Sequence, residues 1–166
     1  MIRDLQTFIA IDPGFAEKNG TGWCMVIDSQ IRRLALAEAI DHKASLAIRA
    51  RQIAAQIPAA VQIGMVHTRL PRVIEHMRVY PGPQQKGDQN DLLDLAFLEG
   101  ALSVDDTRLV AARSWKGNTP KDIMQARIEQ RLRRFGVDLS GLPRAKEKRG
   151  SVLEAGGLAI WAMGLL

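Results

Sequence analysis

Three acids of this 166-residue chain stand where apolar side chains would be expected. Asp12 closes the β-rich run Leu5 to Ile11, Glu75 follows Val73-Ile74 inside another apolar run, and Glu154 sits among almost entirely apolar neighbours from Val152 to Trp161. Burying an ionised carboxylate without a partner costs several kcal/mol, so each demands a cation, hydrogen-bond donors or a raised pKa. Divalent metal would satisfy all three together. The oxygen ligands, with no cysteine cluster and no paired-histidine site, select Mg²⁺, for which Mn²⁺ substitutes. Two such ions roughly 3.5–4 Å apart can activate a water and stabilise the leaving oxygen of a phosphodiester displacement.

Each acid also has a plainer role. Asp12-Pro13-Gly14 is a common turn, which leaves Asp12 evenly placed between turn former and ligand. Glu75 could pair with Arg72 or Arg78 at a sheet edge, and Glu154 could be a first-turn acid favourable to a helix dipole. What separates the readings is convergence: the strands bearing Asp12 and Glu75 must pair at the sheet centre, with the last helix laid beside them.

The elements that must do this are legible as periodicities. Leu5–Ile11, Gly22–Ile27 and Ile31–Ala39 read as three strands, the last two joined at Asp28-Ser29-Gln30 as a hairpin. Helical spacing of Leu46, Ala50, Ile53, Ala54 and Ile57 ends at Pro58. Pro71–Met77 reads as a buried strand, and the Pro-, Gly- and Gln-rich stretch 80–90 as a loop overhanging the site. A helix over 91–104 carries Leu93, Ala96, Phe97, Gly100 and Ala101 on one face, and Arg108–Ala112 is a fifth strand. Thr119-Pro120-Lys121-Asp122 has the form of a capped helix start. That helix runs to Phe135, with Met124, Ile128, Leu132 and Phe135 inward and Arg131, Arg133 and Arg134 outward, until Gly136. A last helix starts near Ser151. The expected fold is a single α/β domain over 1–166, a mixed five-stranded sheet with its first three strands antiparallel and helices on both faces.

Composition and charge narrow the class. A content of 46% hydrophobic and 25% charged residues is globular. No apolar run reaches the ~18 residues of a membrane span, and Met1-Ile2-Arg3-Asp4 lacks the layout of a secretory signal, so a cytoplasmic protein is expected. Lone Cys24 excludes intrachain disulfides. Between Arg113 and Arg149 lie eleven lysines and arginines against four acids, a net +7 within a chain of +5. Such a stretch suits a phosphate-binding surface, although a solvated basic face would read alike. Lys86, Lys116, Lys121, Arg144, Lys146, Lys148 and Arg149 are the candidate phosphate contacts. Tyr80 is a candidate to stack on an unpaired base or to anchor its loop. Strand alternation turns His76 away from Glu75 as a structural histidine. Trp23 and Trp161 are core candidates, and Trp115 is open between core and a DNA-facing place.

Phe8-Ile9-Ala10-Ile11-Asp12-Pro13-Gly14 with Gly20-Thr21-Gly22-Trp23 resembles the opening of RuvC-family Holliday junction resolvases, and Val73-Ile74-Glu75 is similar to their fourth strand. Asn90-Asp91-Leu92-Leu93-Asp94-Leu95-Ala96 with Glu99-Gly100-Ala101 resembles the following helix. Ser114-Trp115-Lys116-Gly117 with Thr119-Pro120-Lys121 is similar to the phage-encoded branch, and Ser151 to Ala159 (SVLEAGGLA) to the closing helix. The resemblance implies a ribonuclease H-like sheet and a Mg²⁺-dependent homodimeric endonuclease that cuts four-way DNA junctions in recombination and repair, leaving 5′-phosphates and 3′-hydroxyls. It further implies a bacteriophage origin, hence host cytoplasm, and makes Asp12, Glu75 and Glu154 the catalytic metal ligands. Two positions depart from the family pattern. Glu154 replaces the usual aspartate, and Ser151, one turn earlier, stands where an aspartate or histidine is usual. Ser151 and Asp91 are therefore only weak candidates for the remaining ligand place.

Two rivals follow from the same residues. A sugar-kinase or actin-like ATPase also opens with Asp-x-Gly, but it needs a second glycine-rich phosphate loop and far more chain. A non-catalytic or weakly active binder of branched DNA would keep the fold and the basic face, and Ser151 and Glu154 are its best support.

Overall fold

Alternating apolar residues build the sheet centre. Strands β1 (Phe8–Asp12), β2 (Thr21–Ile27) and β3 (Gln30–Ala37) form an antiparallel meander in the computed structural model, which describes residues 6–15, 17–63, 65–76 and 89–166. Asp28 and Ser29 join β2 to β3 at φ 51° and 58°, the type I′ geometry that matches strand twist. Between them and the rest of the sheet come helix α1 (Leu46–Ala55) and a separate hairpin of β4 (Ala60–Ile63) and β5 (Val66–Arg69). That hairpin has no counterpart among the expected elements, because four-residue strands without an Asn-Gly or Asp-Gly turn leave little pattern to read.

The sheet is completed by β6 (Arg72–His76), helix α2 (Gln89–Leu102) and β7 (Thr107–Ala111). β6 runs parallel to β1, and β7 parallel to β6, giving the order β3-β2-β1-β6-β7. Helices α3 (Ala112–Lys116), α4 (Lys121–Arg134) and α5 (Lys146–Ala162) follow. The result is an α/β fold with a mixed five-stranded sheet, as expected. Two apolar clusters sandwich it. Phe8, Ala10, Cys24, Val26 and Val73 pack with α4 and α5, while Ile9, Ile11, Trp23 and Ile74 pack with α1 and α2. The short α3 delivers Trp115 to the α5 side.

Several expectations need correction. Helix α5 begins at Lys146, not near Ser151; its first turn is charged and carries no apolar periodicity, which hides the start. No side chain caps α4, so the Thr119–Asp122 capping box does not form. Phe135 is 49% exposed because it follows the last turn of α4, where Gly136 turns the chain at φ 72°. On α2, Leu93 and Phe97 face outward while Leu98 and Leu102 are buried. That helix is apolar around most of its circumference, so packing on the sheet rather than periodicity selects its inner face. Trp23 is core, and Trp161 only half-buried. Among the described residues no helix is long and apolar enough to cross a membrane.

Candidate metal centre

The first two acids are placed by strand parity. Ala10 and Val73 face α5, so Asp12 and Glu75, each two residues further on, face it as well. Ile11 pairs with Ile74 across the parallel β1–β6 ladder, which brings the next residues, Asp12 and Glu75, side by side at the carboxyl ends of two central strands. The turn after Asp12 is strapped down. The Thr21 hydroxyl donates to the Gly14 carbonyl at 2.9 Å and accepts the Gly14 N–H at 3.3 Å. Gly14 is required there, since a Cβ would stand 2.0 Å from the Gly20 carbonyl oxygen. By the same parity His76 falls on the α2 face, where Nδ1 lies 2.9 Å from Glu99 Oε2. This is the structural role expected of it.

Helix α5 supplies the third acid. Glu154 lies in the third turn, which rules out the first-turn dipole role and leaves its carboxylate over the strand ends. Asp12, Glu75 and Glu154 each offer an oxygen within 4.8 Å of the others. Glu75 and Glu154 are both 6% exposed, and Asp12 is partly open. The expected convergence of acids from the beginning, middle and end of the chain is present.

Their partners differ from those the sequence offered. Glu75 pairs with neither Arg72 nor any other described arginine. Trp115 Nε1 donates to its Oε2 at 2.9 Å, and Lys116 Nζ donates to its Oε1 at 2.8 Å. Lys116 also contacts Glu154 Oε2, while Gln125 Nε2 and Lys121 Nζ reach Glu154 Oε1 at 2.9 and 3.1 Å. Buried Arg72 instead donates to the Leu102 carbonyl at the end of α2. Among the described residues nothing donates a hydrogen bond to the Asp12 carboxylate.

This asymmetry shows in the proton affinities. Burial, then the charges of Glu75 and Glu154, hold the Asp12 carboxyl well above its ordinary range, against the pull of Lys116 and Lys121. Burial would raise Glu154 too, but Lys116, Lys121 and Gln125 outweigh it and hold that carboxyl below its ordinary value. Burial would lower Lys116, yet the three acids together raise it. Asp12 is thus the acid whose charge the protein leaves least compensated.

The donor set suits a hard divalent cation. At about 2.1 Å per bond, oxygens on one octahedral ion stand about 3.0 Å apart when adjacent and about 4.2 Å when opposite, so the three carboxylates, within 4.8 Å of one another, would draw together to share an ion. Asp12 and Glu154 border a cleft of about 490 Å³ whose walls also include Lys18, Arg49, Asp91, Lys121, Glu147 and Ser151. Asp91 therefore flanks the acids without belonging to the close set, and Ser151 lines the same cleft with its hydroxyl donating back to the Glu147 carbonyl at 3.4 Å. Glu147, two turns before Glu154 on the same helix, carries no signal in the sequence because the expected start of α5 falls after it. Gln125 gives none either, being a neutral amide on a basic helix.

The basic residues divide. Lys116 and Lys121 turn onto the acids, Lys148 pairs with Glu38, and Arg149 with Glu129 at 3.0 Å. Arg144 and Lys146 are exposed, with no ion-pair partner among the described residues. Arg131, Arg133 and Arg134 line the exposed side of α4 as expected. Tyr80 and Lys86 lie outside the described residues. Trp115 is core, 4% exposed, with its indole N–H spent on Glu75. No protein-family model matches the chain, and no curated protein matches it.

Proposed function

We propose that this chain is a Holliday junction resolvase, a structure-selective endonuclease that cuts four-way DNA junctions by Mg²⁺-dependent phosphodiester hydrolysis on a ribonuclease H-like fold. The observation that carries the reading is the gathering of Asp12, Glu75 and Glu154 at the carboxyl ends of two parallel strands, beside an open cleft. The sequence resemblance to RuvC-family resolvases, with motifs in the same order along the chain, supports the substrate. Bound Mg²⁺, or Mn²⁺ in its place, supplies an activated water and stabilisation for the leaving oxygen. Asp12 would hold the ion from the strand end, and Glu154 from the helix. Glu75, braced by Trp115, keeps its carboxylate oriented toward both. In this reading Lys121, 71% exposed beside Glu154, would meet a phosphate, as would the exposed cations Arg144 and Lys146. As a homodimer, two such sites would cut two strands of one junction.

A second reading has its own observation. Lys116 and Lys121 already satisfy Glu75 and Glu154, as they would in a binder of branched DNA that has given up catalysis. A synthetic four-way junction incubated with and without Mg²⁺ decides between them. Paired nicks bearing 5′-phosphates, absent under chelation, are expected of the resolvase; tight binding without nicks in any divalent ion would establish the binder.

A further inference from the structure

Lys116 is fixed in the acid cluster by three contacts. Its ammonium donates to Glu75 Oε1 at 2.8 Å, contacts Glu154 Oε2, and lies 4.8 Å from the centre of the Trp115 ring. Only 21% of the side chain is exposed. The backbone behind it is equally constrained. Trp115 lies against Gly157 of α5, where a Cβ would stand 2.8 Å from the indole, and Trp115 anchors α3 through its bond to Glu75. The ammonium is therefore built into the place between Glu75 and Glu154, whereas Lys121 reaches in from solvent.

Charge then limits what else the cluster accepts. Counting the three carboxylates and buried Lys116, with the largely exposed Lys121 screened by solvent, one divalent ion would bring the total to neutrality. Two ions would place five positive charges on three negative ones in a largely buried site, where like charges are poorly screened. The uncommitted ligand lies at one end only, at Asp12, which no described residue bonds. We infer that Lys116 takes the place of one of the two divalent ions expected for this chemistry, so that the protein binds a single ion, at Asp12, with the ammonium as its fixed companion charge. This rests on the metal-dependent reading above, and it departs from the two-ion scheme the acids alone suggest. Among the described residues, a second ion would have to take Glu75 and Glu154, the two carboxylates of the close set that Lys116 now holds.

The test is the number of Mn²⁺ ions bound per chain, read by electron paramagnetic resonance on metal-free full-length protein without DNA. Wild type and Lys116→Arg, which keeps the charge, are expected to bind one. Lys116→Met, which keeps the stem and removes the charge, is expected to bind two, a doubling. Circular dichroism verifies that the Met variant is folded; should it unfold, the wild-type and Arg values still decide. Two ions on wild type would overturn the inference while leaving the nuclease reading intact, as would a folded Met variant that still binds one. No ion on wild type would overturn the metal-dependent reading itself.

Discussion

Gly22 of β2 and Ser151 of α5 meet backbone to backbone: a Cβ on Gly22 would lie 2.0 Å from the Ser151 carbonyl oxygen and 2.3 Å from its carbon. Gly22 is the register partner of Asp12 across the β1–β2 ladder, and Ser151 precedes Glu154 by three residues. The missing side chain is what lets α5 lie close enough to set Glu154 beside Asp12. Gly22→Ala must push the helix off the sheet. A loss of stability of about 1–3 kcal/mol or more is expected in urea unfolding, as for other overpacked cores, together with weaker Mn²⁺ binding. Unchanged values of both would mean that the close approach is not needed.

Trp115 joins the core to the site through its 2.9 Å bond to Glu75. Trp115→Phe keeps an aromatic ring but removes the donor from a buried carboxylate. A cost of roughly 1–3 kcal/mol is expected for leaving that acceptor short of a partner, with part of it recovered on adding Mn²⁺. Calorimetric unfolding with and without the ion measures both effects.

Stability of the metal-free protein should fall as pH rises above the ordinary carboxylate range. There the folded chain still holds the Asp12 proton, while the unfolded chain has released it, so raising the pH favours unfolding until Asp12 itself ionises. Glu154 acts oppositely and lower: its depressed pKa adds stability that is lost as pH falls through the folded value. Asp12→Asn should remove the first slope and leave the second. Saturating Mg²⁺, which binds the ionised acid, should reverse the first. Thermal unfolding across pH reads each.

Asp12→Asn should also abolish junction cutting while leaving junction affinity intact, because the substitution removes a ligand charge and no phosphate contact. Gel-shift and nicking assays on the same preparation separate the two. Cleavage at the wild-type rate would remove Asp12 from the metal set.

Arg144 and Lys146 are expected to contact DNA phosphates. Replacing both with glutamine should reduce the slope of log affinity against log salt by up to about 0.9 for each phosphate that is no longer neutralised, with no change in junction preference. A slope identical to wild type would show the two cations to be merely solvated.

Much of the site is legible in the sequence because carboxylates in apolar runs break a rule that packing otherwise enforces. Asp12, Glu75 and Glu154 each stand out for that reason, and strand alternation correctly separates Glu75 from His76. The partners are not legible. Lys116 reads as one cation in a basic stretch, and only the fold shows that α3 turns it inward between two acids. Glu147 is hidden by a charged first turn of α5 that lacks apolar spacing. The outward face of α2, with Leu93 and Phe97 exposed, escapes a reading by periodicity because apolar residues run round most of the helix and leave little contrast between its faces. The hairpin of β4 and β5 lies below the length at which alternation is informative.

The most direct measurement is a crystal of the protein soaked in Mn²⁺, with anomalous scattering recorded. Convergence of the three acids predicts a peak at coordination distance, about 2.1 Å, from an Asp12 oxygen and from Glu154 or Glu75. Ordered carboxylates with no anomalous density able to bridge any two of them would contradict it.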